Sequence, residues 1–330
     1  MNSAITPDGD SARSRPRRAA PGTKRRLSRA TRNIARAVLR GAERISPALA
    51  AWLLYQIARH PPSRRVDPAA HALLRSAQRS VLRFKDHNVQ IYVWGDAAPT
   101  VLCVHGWGGV AAQMTPFVEP LTAAGYRVVA FDAPGHGASC SSGSDPIEFS
   151  RSISAVVQTI GPVDTVIAHS LGAAATLLAT REGIVRPSRL ILLCGYARLD
   201  LVLDQMRWMF RSSVAVLERT WERLCGHYGH RSDHEHLSPI SALRMLDCPT
   251  FILHDQDDTI VPIAHSEQLA AAARDGHFVR TRGLGHHSIL NREVAQWCAE
   301  FVLKQRAQSA SGHESSRRNQ APLSMARVRA

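Results

Sequence analysis

Beyond residue 99 the chain alternates short apolar runs, each followed by a turn rich in glycine or charge, with stretches of helical spacing. The runs are "TVLCVHG", "YRVVAFD", "DTVIAHS", "LILLCGY", "TFILHDQ" and "HFVRTRG". Most are continuous Val/Ile/Leu segments without in/out alternation, the pattern of parallel strands covered by helices on both faces. Ahead of them, "SVLRFKD" and "VQIYVWG" read as an antiparallel hairpin turning at "HN". The fold class expected is α/β, a mostly parallel, doubly wound sheet. Between "LILLCGY" and "TFILHDQ" the connection is longer than one crossover helix requires. It is helical in pattern and rich in Met, Trp and Phe, so a helical lid is expected at about 198–246.

The charge is segregated. The chain has 330 residues and a net charge of +14. Residues 1–80 hold 17 Lys/Arg against 4 Asp/Glu, residues 304–330 hold 6 against 1, and residues 81–303 hold 18 against 22. The central body is therefore mildly acidic, and no nucleic-acid partner is expected. Residues 1–28 read as a disordered basic arm, 29–80 as a basic helical extension, 81–303 as the α/β domain, and 304–330 as a disordered basic tail. In the extension, Ile34, Val38, Ile45, Leu49 and Leu53 recur at helical spacing, while Arg32, Arg36, Arg40 and Arg44 repeat every four residues. Pro47 breaks this helix and "PP" at 61–62 ends it. Two readings stand: peripheral contact with an anionic membrane through 29–60, or an apolar stripe packed on the body with the arginines solvated. A mitochondrial-type presequence is a third, weakened by Asp8 and Asp10. The cysteines form no CxxC pair, which fits reduced thiols and a cytoplasmic compartment. The apolar stretch "ISPALAAWLLYQIA" is too short for a membrane span.

In open α/β sheets, chemistry collects at the carboxyl ends of the strands. Here those ends carry "HGWGG" (105–109), "DAPGHGAS" (132–139), "HSLG" (169–172), "DQDDTIVP" (255–262) and "GLGHH" (283–287). Ser170 in "VIAHSLGAAA" can be read as a helix N-cap or as a nucleophile on a strand-to-helix turn. With a small residue two positions to either side, Ala168 and Gly172, the turn is sterically possible. The N–H of Leu171, at the helix start, can then stabilise a developing negative charge.

Taken together, and in this order, the five motifs resemble those of the α/β-hydrolases over roughly 81–303. The resemblance implies an α/β-hydrolase fold and a serine hydrolase cleaving an ester or thioester; the serine argues against dehalogenase and epoxide-hydrolase chemistry, because those relatives place aspartate at the nucleophile. It implies Ser170 as nucleophile, His286 as base in preference to the adjacent His287, and Asp258 as the orienting acid. Asp258 is the one of Asp255, Asp257 and Asp258 that stands three residues before Val261; the other two are expected on an exposed loop. The resemblance assigns the second oxyanion N–H to Trp107. The family usually has glycine where this chain has Ala168.

Other residues are given plainer roles. His105 is expected to brace its loop, and Asp132 and His136 to fix the loop beneath the site. His227, His230, His234 and His236 lack a firm ligand spacing, so no metal or cofactor is expected. Met206, Trp208, Met209 and Phe210 are expected to pack within the lid or line an acyl pocket. The partner expected is a small ester or thioester with an apolar acyl group. The reading from another class is a non-catalytic member serving as a membrane-peripheral binding or scaffold module.

Overall fold

The structure is a computed structural model that describes residues 29–319 apart from 62–66, 97, 140, 142, 228–234 and 236. The basic arm at 1–28 lies outside the described residues, as do His230, His234 and His236. Eight strands form one sheet: β1 (Gln78–Phe84), β2 (His87–Trp94), β3 (Thr100–Val104), β4 (Arg127–Phe131), β5 (Thr165–His169), β6 (Arg189–Leu193), β7 (Thr250–Asp255) and β8 (Gly276–Thr281). Their order is β1-β2-β4-β3-β5-β6-β7-β8. β1 and β2 pair antiparallel, as do β2 and β4, and the remaining pairs are parallel.

The hairpin turns two residues earlier than expected. Phe84 pairs with His87, so Lys85 and Asp86 make the turn, with Lys85 at φ 50°. His87 and Asn88 belong to β2, opposite Phe84 and Arg83.

The described residues form twelve helices: α1 (Arg29–Ile45), α2 (Pro47–Ala58), α3 (Pro68–Ser76), α4 (Val118–Ala123), α5 (Pro146–Ile160), α6 (Leu171–Arg181), α7 (Asp200–Phe210), α8 (Val214–His227), α9 (Pro239–Arg244), α10 (Ala264–Ala272), α11 (Gly285–Ser288) and α12 (Arg292–Asn319). A 3-10 turn at Ala111–Phe117 precedes α4. The apolar strands are buried on both faces because alternate residues enter opposite cores. In β3, Val101 and Cys103 pack with Phe117, Leu121 and Cys298, whereas Leu102 and Val104 pack with Phe149, Ile153 and Leu177. α12 runs past residue 303 to Asn319, into the segment expected as a disordered basic tail, and residues 320–330 of that tail lie outside the described residues.

Between β6 and β7 the chain inserts α7, α8 and α9. The N-terminal helices pack on this insertion, but of the stripe that the spacing suggested it is Leu53 that joins the contact. Leu39, Ala42, Ala50, Ala51 and Leu54 bury themselves with Phe210 and Val216. Ile34, Val38, Ile45 and Leu49 are instead 65%, 53%, 80% and 39% exposed. Alanines allow close helix contact, so a face rich in alanine can bury as completely as one rich in leucine. Phe210 is buried there and Met206 packs alongside, while Trp208 and Met209 are exposed.

Candidate active site

The turn after β5 places Ser170 between strand and helix at φ 56° and ψ −125°. A non-glycine residue there carries a cost of roughly 1–3 kcal/mol, which the surrounding structure must hold in place. Two close approaches do so. A Cβ added to Gly172 would lie 2.1 Å from the His105 carbonyl oxygen, and one added to Gly106 would lie 2.8 Å from Ser170 Cβ. The loop after β3 and the turn after β5 therefore fit only with glycine at both points. Ala168, by contrast, is accommodated within β5, paired with Val104 and Leu192 and fully buried.

Although Ser170 occupies the N-cap position of α6, its side chain makes no capping hydrogen bond. The hydroxyl instead donates to His286 Nε2 at 2.8 Å. His286 Nδ1–H donates to Asp258 Oδ2 at 2.6 Å. The neighbouring His287 lies beside this chain of bonds, its ring 4.9 Å from that of His286. Asp258 Oδ1 accepts the N–H groups of Ile260 and Val261. Burial opposes ionisation of Asp258, but hydrogen bonds from His254, His286 and the Val261 N–H outweigh it and hold the carboxyl well below the usual carboxylate range. Such a carboxylate fixes the imidazole with Nε2 facing the hydroxyl and can stabilise an imidazolium.

Leu171 opens α6, so its N–H has no partner within the helix and sits at the positive end of the helix dipole. Trp107 lies on the loop that Gly106 presses against Ser170. That loop is tied from beneath by neutral imidazoles. His105 Nδ1–H donates to the Gly106 carbonyl, and its Nε2 accepts the Ala133 N–H. His136 Nε2 accepts the Gly108 N–H, and its Nδ1–H donates to the Pro134 carbonyl. Burial, then the nearby His105, lowers the pKa of His136 to about 3. Asp132 accepts the N–H groups of Ala111 and Ala138 and the Tyr92 hydroxyl.

Three supports were not legible in the sequence. Asp255, expected on an exposed loop, is fully buried at the end of β7. It accepts the Thr281 hydroxyl and the N–H groups of Asp257 and Leu284, tying the Asp258 turn to the loop that carries His286. This burial arises because β8 pairs with β7 up to Thr281. Asp257 is exposed and accepts the Gly283 N–H. His254, also buried, accepts the Ser266 hydroxyl at Nδ1 and donates from Nε2 to the Val261 carbonyl, 3.4 Å from Asp258 Oδ2. His169, next to Ser170, donates from Nε2 to the His286 carbonyl at 2.8 Å. Strand-end position was the one signal available for His254 and His169.

Among the described residues, two groups of side chains bring possible ligand atoms within 4.8 Å of one another: His169, His286 and His287, and Cys194, His254 and Asp258. Their chemistry is poorly suited to a metal. Both ring nitrogens of His286 and of His254 already serve the hydrogen bonds above. Burial raises the Cys194 thiol well above its ordinary value, against formation of the thiolate a metal would need.

Residues 101–301 match the model of the alpha/beta hydrolase family. A non-heme haloperoxidase of Rhodococcus erythropolis is 27% identical over 224 residues, covering 54% of this chain and 81% of that protein. A 2-hydroxy-6-oxononadienedioate/2-hydroxy-6-oxononatrienedioate hydrolase of Dechloromonas aromatica is 31% identical over 147 residues, covering 39% of this chain and 49% of that protein. Among solved structures, Est1E of Butyrivibrio proteoclasticus superposes with a TM-score of 0.57 at 17% identity, covering 70% of this chain and all (100%) of that one. With the sheet order, the turn at Ser170 and a family match across most of the sheet, the chain belongs to the alpha/beta hydrolase family.

Proposed function

We propose that the protein is a serine hydrolase that cleaves a carboxylic ester or thioester through an acyl-enzyme on Ser170. The observation that carries this reading is the unbroken path from the Ser170 hydroxyl to His286 and on to Asp258. His286 Nε2 removes the Ser170 proton as Oγ attacks the carbonyl carbon, and Asp258 steadies the imidazolium. The N–H groups of Trp107 and Leu171 receive the oxyanion. The tetrahedral intermediate collapses, and the alcohol or thiol leaves with the proton from His286. Water, deprotonated in turn by His286, attacks the acyl-enzyme and releases the acid.

An apolar acyl group suits the surroundings. Leu171 and Trp107 share a cluster with Tyr196, Leu199, Trp221 and Val261, drawn largely from the insertion. In this reading the insertion is a lid that shapes the acyl pocket.

A fluorophosphonate probe tests the nucleophile. The wild-type protein is expected to be labelled at Ser170, and Ser170→Ala to be unlabelled, with kcat on p-nitrophenyl esters down about 10⁶-fold. An unlabelled wild type overturns the proposal. A panel of esters and acyl-thioesters of graded chain length then separates esterase from thioesterase preference.

A further inference from the structure

The turn between α7 and α8 leaves apolar surface in water beside a concentration of positive charge. Trp208, Met209 and Val214 are 71%, 45% and 54% exposed. The Arg207 guanidinium lies 4.7 Å from the centre of the Trp208 ring. α1 runs against this turn, where Arg36 Nε donates to the Met209 carbonyl at 2.9 Å. Arg211, Arg32 and Arg40 are close enough to Arg36 to repel it. Its guanidinium sits below the ordinary value, first through desolvation and then through these three neighbours. Arg207 pairs with Asp204, but among the described residues no carboxylate forms an ion pair with Arg32, Arg36, Arg40 or Arg211.

We infer that this corner, formed by the α7–α8 turn and the arginine flank of α1, docks on the surface of an anionic lipid bilayer. The charge pattern selects that occupant. Arginines crowded together without counter-ions gain from a dense anionic surface, to which each contributes while it lies within a Debye length. Tryptophan settles at the headgroup level, where its ring is partly apolar and its N–H stays wet. Methionine and valine beside it extend the shallow apolar contact. No described helix is long and apolar enough to cross a membrane. The inference does not depend on the hydrolase chemistry. It replaces the membrane face expected within 29–60 by one that the insertion shares.

Vesicle binding of the full chain tests it. The wild type is expected to co-sediment with phosphatidylcholine vesicles containing roughly one third phosphatidylserine, and not with phosphatidylcholine alone, and to be released by salt. Brominated lipid is expected to quench part of its tryptophan fluorescence. Trp208→Phe should keep the binding and lose that part of the quenching. Trp208→Ser with Met209→Ser, and separately Arg36→Gln with Arg211→Gln, should each lower partitioning about tenfold or more. Circular dichroism and probe labelling without vesicles confirm that these surface variants fold.

Three results overturn the proposal. One is equal binding to neutral and anionic vesicles. Another is partitioning of both double variants within about twofold of wild type, which would assign binding to the basic arm at 1–28. The last is absence of vesicle binding, including the case in which an acidic soluble protein binds the corner instead.

Discussion

The carboxyl edge of the sheet and the helical layer above it treat water in opposite ways. At the edge, ionisable side chains are withdrawn from solvent and tied to named partners: His105, Asp132, His136, His169, His254, Asp255 and Asp258 all serve loops rather than surface. In the layer, α1, α2 and the α7–α8 turn bury alanines and leave Ile34, Trp52 and Trp208 outside. The edge is built to keep atoms in register, and the layer to present a face. A substitution at the edge should therefore act through geometry, whereas one in the layer should act through surface.

The two aspartates of one loop offer the widest separation. Asp258→Asn is expected to lower kcat about 10⁴-fold, because it leaves the shape intact and misdirects the imidazole. Asp255→Asn should instead lose about 1–3 kcal/mol of stability, since N–H and hydroxyl donors now meet an amide, with a much smaller loss of rate. Steady-state kinetics beside urea unfolding read both quantities. Equal rate losses without loss of stability would erase the distinction between chemistry and support.

His136 provides an intermediate effect through pH. The folded protein keeps it neutral down to about pH 3. The unfolded chain takes up a proton below about pH 6.5, so it binds more protons than the native state in that interval. The contribution is complete above about pH 6.5 and is lost as pH falls, by about 2 kcal/mol between pH 7.5 and 5. Urea midpoints across that range should drop less steeply in His136→Asn. An unchanged slope would mean that the edge does not depend on the neutral imidazole. The smallest effect belongs to the layer: Ile34→Ser should change stability by no more than about 0.5 kcal/mol, and a larger loss would show that this face is packed.

The sheet was legible in the sequence because fully buried strands need continuous apolar runs, and the turns that follow them carry the unusual residues. Ser170, His286 and Asp258 came from motif order, and the structure brings them into hydrogen-bonding reach. What escaped depended on contacts distant in sequence. Asp255 looked like a loop residue until β8 covered it. His254 and His169 act through carbonyls of Val261 and His286, which no spacing rule reports. In α1, hydrophobicity pointed to Ile34 and Val38, whereas packing chose Leu39 and Ala42, because proximity between helices rewards small side chains.

The bond from His169 to the His286 carbonyl has a consequence for how such a molecule could be altered. It joins the residue before Ser170 to the backbone of His286, although β6, β7 and β8 separate them along the chain. Both ends of the Ser170–His286 hydrogen bond thus belong to one chassis, fastened without help from the insertion. Exchange of the helices between β6 and β7 for others is expected to leave the Ser170–His286 hydrogen bond aligned.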